Sequence, residues 1–357
     1  MERVRHGITP SRTEVSYAIQ INVVCVCYST SFYRDDAARD IIHPDLAQLQ
    51  AKSWLDDAYS LPQPRARPAT TVGRDGKIYG FGGFTGAGGA YQVTNTVFIY
   101  DPGRRTWSQG TPMPVAMEGG AAVTLPNGRI VVIGGGVGCF FTQACAILQV
   151  VQEYDPHNHV WGLLSPLRTP RYRFAAALGP DGCVYAIGGW NGRSIMSSVE
   201  VYTPRTNTWR PSASLPRAEE SAAATVTHNR VVVAGGTDGN ASFYNDLFVF
   251  DGRRWNNGSP MQTPRADFGL VVNAQGRLYA FGGYNPTDNY LTKAETYNPA
   301  TDTWTAIGVL PRPMASFGAV TGPDGRAYAI GGYDGNATST QVAAYGAVAP
   351  RKNPFTG

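Results

Sequence analysis

The chain has 357 residues, 43% of them hydrophobic, with 42 glycines and 25 prolines. That length can bury a large core, and the even spread of Gly and Pro argues against a disordered linker. The formal net charge is only +4 and no lysine-rich run occurs, which argues against nucleic acid as a partner.

Residues 1–45 read as an N-terminal extension. Arg3, Arg5 and Arg12 precede the run YAIQINVVCVCY, which faintly resembles a secretion signal, but Gln20 and Asn22 interrupt its apolar core and no clean cleavage site follows. No segment is long and apolar enough to span a membrane. A cytoplasmic location is the expectation, with export as the alternative. Residues 46–349 carry a repeat, and residues 350–357 are a short tail.

Six glycine pairs punctuate the repeat: GFGG at Gly82-Gly83, VIGG at Gly134-Gly135, AIGG at Gly188-Gly189, VAGG at Gly235-Gly236, AFGG at Gly282-Gly283 and AIGG at Gly331-Gly332. Their first glycines stand 52, 54, 47, 47 and 49 residues apart. A fixed internal pattern at a period near fifty defines a repeat architecture. Each unit opens with a small-residue run such as FAAAL (174–178), turns at a motif such as Pro180–Gly182, and climbs a second strand to the glycine pair. A third strand ends in an aromatic (Tyr100, Tyr154, Tyr202, Phe250, Tyr297, Tyr345). A tight turn then leads to Trp107, Trp161, Trp209, Trp255 or Trp304 on a fourth. Four antiparallel strands per unit make a propeller blade. The predicted fold is all-β, a six-bladed propeller. The glycines allow close backbone approach, and the aromatics fill the space between blades.

This glycine-pair, Tyr and Trp pattern resembles the kelch repeat over residues 50–348. The last unit has Tyr345 but no following Trp, whereas Trp54 stands unpaired at the other end. From Trp54 to Trp304 the tryptophans are spaced 53, 54, 48, 46 and 49, so a strand around Trp54 is expected to complete blade six and close the ring.

The loops of one face carry the candidate site. After the glycine pairs come Phe84, Trp190, Tyr284 and Tyr333, with turn-forming Asp238, Asp334 and Asn336 beside them. Arginines of the Pro-Arg pairs (Arg65, Arg171, Arg217, Arg265, Arg312) recur between blades, so they read as structural. Two residues beyond them lie Arg67, Arg173, Glu219 and Asp267, whose charge varies from blade to blade and which therefore read as ligand-binding. Phe84, Trp190, Tyr284 and Tyr333 are the expected aromatic anchors. The long blade-two loop, GVGCFFTQACAILQ, is expected to wall the mouth with Cys139, Phe140 and Phe141, or to pack on blade three. Of the five cysteines (Cys25, Cys27, Cys139, Cys145, Cys183), Cys139 and Cys145 are read as free thiols, with a local bridge expected only on export.

No catalytic constellation is recognised. His157 and His159 form an insufficient metal set and read as a solvated turn, and no phosphate loop or activated nucleophile is found. No cofactor or metal is expected. The expected function is a non-catalytic, monomeric module that binds a peptide or protein segment of acidic or mixed charge. Arg67 and Arg173 would pair with carboxylates. The kelch resemblance also implies an alternative, a carbohydrate-binding or carbohydrate-modifying protein similar to sialic-acid mutarotases, with Arg173 and Glu219 as the pair to test. Ubiquitin-ligase adaptors and actin binders of the kelch family use further domains, for which the 45 leading residues are too short.

Overall fold

Short runs of β-branched and aromatic residues between polar-Gly turns form strands throughout a computed structural model of the chain. The structure describes residues 54–56, 59–87, 89–139 and 145–346. The chain divides into units of residues 1–47 and 48–357, and all described residues fall in the second. Six four-stranded antiparallel sheets occupy this second unit. Blade three shows the pattern: Ala175–Leu178, Val184–Ile187, Val199–Thr203 and Thr208–Ser212 pair in that order.

The innermost strands pack against one another around the axis, and their small residues leave a channel there. Thr70, Ala122, Ala176, Ala224, Leu270 and Ala319 line it, one from each blade. Further out, the second strands are buried, along their whole length in Val184–Ile187 and Ala327–Ile330 and in all but the first residue in Arg230–Ala234. Each fourth-strand tryptophan stacks on the aromatic that ends the third strand. Ring centroids lie 5.0 Å apart for Tyr100 and Trp107, 4.9 Å for Tyr154 and Trp161, and 5.1 Å for Tyr202 and Trp209. The indole N–H then ties adjacent blades together: Trp161 donates to Thr111 O at 3.0 Å and Trp209 to Ser165 O at 2.9 Å.

Closure occurs where the tryptophan register places it. Trp54–Asp56 pairs antiparallel with Val342–Tyr345, Trp54 opposite Tyr345, and supplies the outer strand of blade six. Trp54 packs 4.6 Å from Phe281 of blade five and 5.4 Å from Tyr345. Phe250, the one departure from tyrosine among the third-strand aromatics, keeps the stack with Trp255 at 5.0 Å.

The glycine pairs do more than allow close approach. Both glycines of the blade-three pair hold positive φ, 63° at Gly188 and 87° at Gly189. That conformation costs a residue with a Cβ but not glycine. A Cβ on Gly188 would also lie 2.6 Å from Glu219 O. Each pair reverses the chain at the end of the second strand and hands it to a loop on one face. Beyond three of these reversals the loop forms its own ribbon: Phe84–Ala87 with Ala90–Val93, Gly136–Val137 with Ala146–Ile147, and Tyr284–Asn285 with Asn289–Tyr290.

Candidate ligand-binding face

Six residues at the head of the innermost strands share one backbone state. Arg67, Gly119, Arg173, Ser221, Asp267 and Ser316 all have φ between 50° and 59°. Each donates its N–H to the carbonyl of its counterpart in the preceding blade: Gly119 to Arg67, Arg173 to Gly119, Ser221 to Arg173, Asp267 to Ser221, Ser316 to Asp267 and Arg67 to Ser316. These six hydrogen bonds form a closed circle around the mouth of the channel, a second closure independent of the Trp54 strand.

The side chains on this circle alternate in size. Blades one, three and five contribute Arg67, Arg173 and Asp267, and blades two, four and six contribute only Gly119, Ser221 and Ser316. The three long side chains meet across the axis. Asp267 Oδ2 lies 2.9 Å from Arg173 Nη2 and 3.4 Å from Arg67 Nη2. Arg173 Nη1 reaches Glu220 Oε1 at 2.8 Å. Arg67 Nη1 donates to the Tyr172 hydroxyl at 2.5 Å and lies 3.8 Å from Glu118 Oε2. This ion-paired group caps a cavity of about 220 Å³, which continues into a further 360 Å³ or so toward the opposite face.

Electrostatics here are governed by burial and pairing. Burial alone would raise the Asp267 pKa, but Arg173 and Arg67 bring it down to about 2, so it stays ionised. Burial pushes Tyr172 up to about 12, and it also raises Glu220 above the ordinary carboxylate range, against the opposing effect of Arg173.

Glu219 does not belong to this circle, contrary to its predicted role. Blade four carries two extra residues after its Pro-Arg pair, so Ser221 takes the rim position. Glu219 instead takes the place of Arg65, Arg171 and Arg265: its carbonyl accepts from Gly189, as theirs accept from Gly332, Gly135 and Gly236. Its side chain is 1% exposed, with Arg217 Nε at a long 3.4 Å, and neither carboxylate oxygen makes a well-formed hydrogen bond. The acid beside Arg173 is therefore Glu220.

The recurrent arginines divide as well. Arg171 is fully buried and donates to Gly188 O, Ser198 O and Glu200 Oε1 at 2.7, 2.8 and 3.1 Å. Arg265 makes the equivalent bonds to Gly282 O, Lys293 O and Glu295. These two pin their loops to the third strand. Arg312 is exposed, and Met314 fills the buried position in its blade.

The aromatic residues form an arc on one side of the mouth. Tyr284 contacts Tyr290 at 5.3 Å, Tyr290 contacts Tyr333 at 5.9 Å, and Tyr333 contacts Tyr91 at 6.4 Å between ring centroids. Phe84 was expected among the surface anchors, but it is 1% exposed beneath Tyr91 and offers no ring to a ligand. Tyr91 and Tyr290, absent from the predicted set, complete the arc; both lie on the loop ribbons, which the glycine spacing did not reveal. Trp190 sits on the other side, half-buried, beside a cavity of about 480 Å³ that Arg173, Arg193, Glu220 and Asp238 also line. Asp238 and Asp334 serve their turns as predicted: Asp238 Oδ1 accepts from Asn240 and Ser242 N–H, and Asp334 Oδ1 from Asn336 and Ala337.

In the blade-two loop Cys139 and Cys145 are joined by a disulfide, which corrects the free-thiol reading. The Gly136–Val137 and Ala146–Ile147 ribbon brings the two ends of the loop together. Phe140 and Phe141 lie outside the described residues. We expect non-reducing peptide mapping to recover the 139–145 cross-link; alkylation of both cysteines without prior reduction would refute it. On the opposite face the His159 ring nitrogen lies 3.0 Å from the Tyr154 hydroxyl. Among the described residues no three His, Cys, Asp or Glu side chains come together to hold a metal.

Six Gly-paired blades, Tyr–Trp stacks and a rim of variable charge define a repeat propeller with one loop-bearing face. A family model described as the KLHDC2/KLHL20/DRC7 Kelch-repeats domain matches residues 59–236 and 174–347, and the chain belongs to the kelch-repeat family. It is 28% identical to Kelch-like protein 25 of Xenopus tropicalis over 267 residues, 73% of this chain and 44% of that protein. It is 32% identical to Kelch-like protein 35 of Mus musculus over 180 residues, 50% of this chain and 29% of that protein. The chain thus spans less than half the length of these curated relatives. Among solved structures, that of YjhT superposes with a TM-score of 0.66 at 16% identity, covering 79% of this chain and 95% of that one. That likeness concerns the fold alone.

Proposed function

We propose that this propeller is a non-catalytic binding module that holds a peptide or protein segment across the face bearing Arg67, Arg173, Asp267, Trp190, Tyr284 and Tyr333. The observation that carries this reading is the convergence of an aromatic arc and a charged, circularly hydrogen-bonded mouth on one face. Partly exposed tyrosines on ribbons, beside buried ion pairs, provide large contact area at low entropic cost, with polar groups to set register. Phe84 and Glu219 support the surface from beneath. Panning the full chain against a random-peptide library tests the reading. We expect Tyr333→Ala to weaken recovered ligands about tenfold or more, whereas Arg230→Ala, in a hairpin of the opposite face, leaves affinity unchanged. Ligands insensitive to Tyr333→Ala and to Arg173→Ala would place the site elsewhere.

A carbohydrate ligand is the second reading, favoured by the Trp190 ring beside the Arg193 and Asp238 side chains at the 480 Å³ cavity. A glycan array separates the two: binding lost on Trp190→Ala, with no peptide recovered, would support the sugar.

A further inference from the structure

The five charges at the mouth form one alternating chain. Glu118 lies 3.8 Å from Arg67, Arg67 lies 3.4 Å from Asp267, Asp267 lies 2.9 Å from Arg173, and Arg173 lies 2.8 Å from Glu220. Each arginine stands between two carboxylates, so the chain begins and ends on an acid. Three carboxylates against two guanidiniums give a formal charge of −1 in a site where all five side chains are at most 23% exposed. The backbone does nothing to offset this sign. All six rim N–H groups are spent on neighbouring carbonyls, so the circle turns no free N–H toward a ligand.

Arg67 reports the resulting field. Burial works to lower its pKa, yet Tyr172, Asp267, Glu118 and Glu220 together hold it above the usual arginine range. An anionic ligand group would have to displace the protein's own carboxylates from Arg173, both of whose terminal nitrogens are engaged. A cation meets an excess of acid instead. The aromatic arc adjoins this charge: Ala266, next to Asp267, exchanges both backbone hydrogen bonds with Tyr284 at 3.0 and 2.9 Å.

We propose, resting on the peptide-binding reading of this face, that the bound segment presents a lysine or arginine side chain to the mouth, where Asp267 and Glu220 take its positive charge. These two acids flank Arg173 and are the more accessible, with side chains 18% and 8% exposed against 1% for Glu118. Their described ion pairs converge on Asp267 Oδ2 and Glu220 Oε1. The tyrosine arc provides ring faces for the aliphatic stem and the cation. This reverses the acidic partner that Arg67 and Arg173 suggest in the sequence.

Random-peptide phage panned on the full chain, followed by anisotropy titration of synthetic peptides, provides the test. Enriched peptides are expected to share a lysine or arginine, and its replacement by norleucine should weaken binding about tenfold or more. Glu220→Gln and Asp267→Asn should each weaken the basic peptide by a similar factor and leave the norleucine peptide unchanged, the signature of a direct pair. Thermal melts control for folding. Because Asp267 also holds both arginines, Glu220→Gln at the end of the chain is the decisive variant. Enriched peptides that carry acids or no shared charge, yet still depend on Tyr333, would overturn the cation and leave the face intact. Peptides that ignore both Tyr333 and the rim, or none at all, would overturn the face and the cation together.

Discussion

Removing residues 1–60 is expected to leave a chain that aggregates or fails to fold. The deletion takes away the outer strand of blade six and uncovers Val342–Tyr345, four buried residues whose free edge would pair with any other strand available. It also removes the Trp54 ring from between Phe281 and Tyr345. Burying a tryptophan covers roughly 150–250 Å², worth about 4–6 kcal/mol at ~25 cal/mol/Å², against a total stability of about 5–15 kcal/mol for a folded domain. The circle at the mouth survives the deletion, because Arg67 still donates to Ser316 and Arg65 still accepts from Gly332. Blades one and six therefore stay joined near the axis and through the Tyr100–Tyr328 contact, and the damage falls on the outer edge of blade six. Trp54→Ala isolates the packing contribution and should cost about 3–5 kcal/mol in urea unfolding. Size-exclusion chromatography decides the larger case: a monomer with an unchanged urea midpoint would show that the ring does not need this strand.

The blades were legible because their signals repeat. Glycine pairs, tyrosines and tryptophans recur where the same backbone reversal and the same inter-blade gap recur, so six weak motifs reinforce one another. The site was legible only in part, because its residues differ between blades and each must be placed by counting. Counting forward from the Pro-Arg pairs placed Arg67, Arg173 and Asp267 on the rim but misplaced Glu219, since blade four has two extra residues. Counting back from the first strand would have found Ser221, two residues before Ala223 just as Arg67 is two before Ala69. Phe84 follows its glycine pair as Tyr284 and Tyr333 follow theirs, but the ribbon that carries Tyr91 folds over it, and no local signal announces that ribbon. The partners of Arg173 stand 47 and 94 residues away and meet it only once the ring is closed. Hence the sequence shows Arg67, Arg173 and Asp267 but hides that they pair with one another, and it points to Glu219 where Glu220 is the acid on Arg173.

Glu219→Gln is expected to stabilise the protein, by an amount that grows with pH. In blades three and five this position holds a guanidinium that donates to two backbone carbonyls and a glutamate, as Arg171 does to Gly188, Ser198 and Glu200. Blade four puts a carboxyl there. Two charged groups face it: Arg217, which stacks on the Tyr244 ring, and Asp246, which pairs with Arg217. Burial pushes the Glu219 pKa up to about 8; Arg217 opposes the rise and Asp246 adds to it. In the unfolded chain the carboxyl titrates near the ordinary glutamate value, about 4.3. Below that pH it is neutral in both states and costs nothing. Between there and pH 8 the folded protein keeps a proton that the unfolded chain releases, so stability falls as pH rises, by up to ~1.4 kcal/mol per pH unit. Above pH 8 the loss is complete, on the order of a few kcal/mol. Glutamine does not titrate and is close in volume, so the difference between variant and wild type isolates this one group from every other titration. Urea unfolding at pH 4, 7 and 9 should give its smallest difference at pH 4, widening to a few kcal/mol in favour of Gln at pH 9. A difference that stays constant across that range would mean that Arg217 neutralises Glu219 fully, and that blade four replaces the buried arginine with an ordinary ion pair.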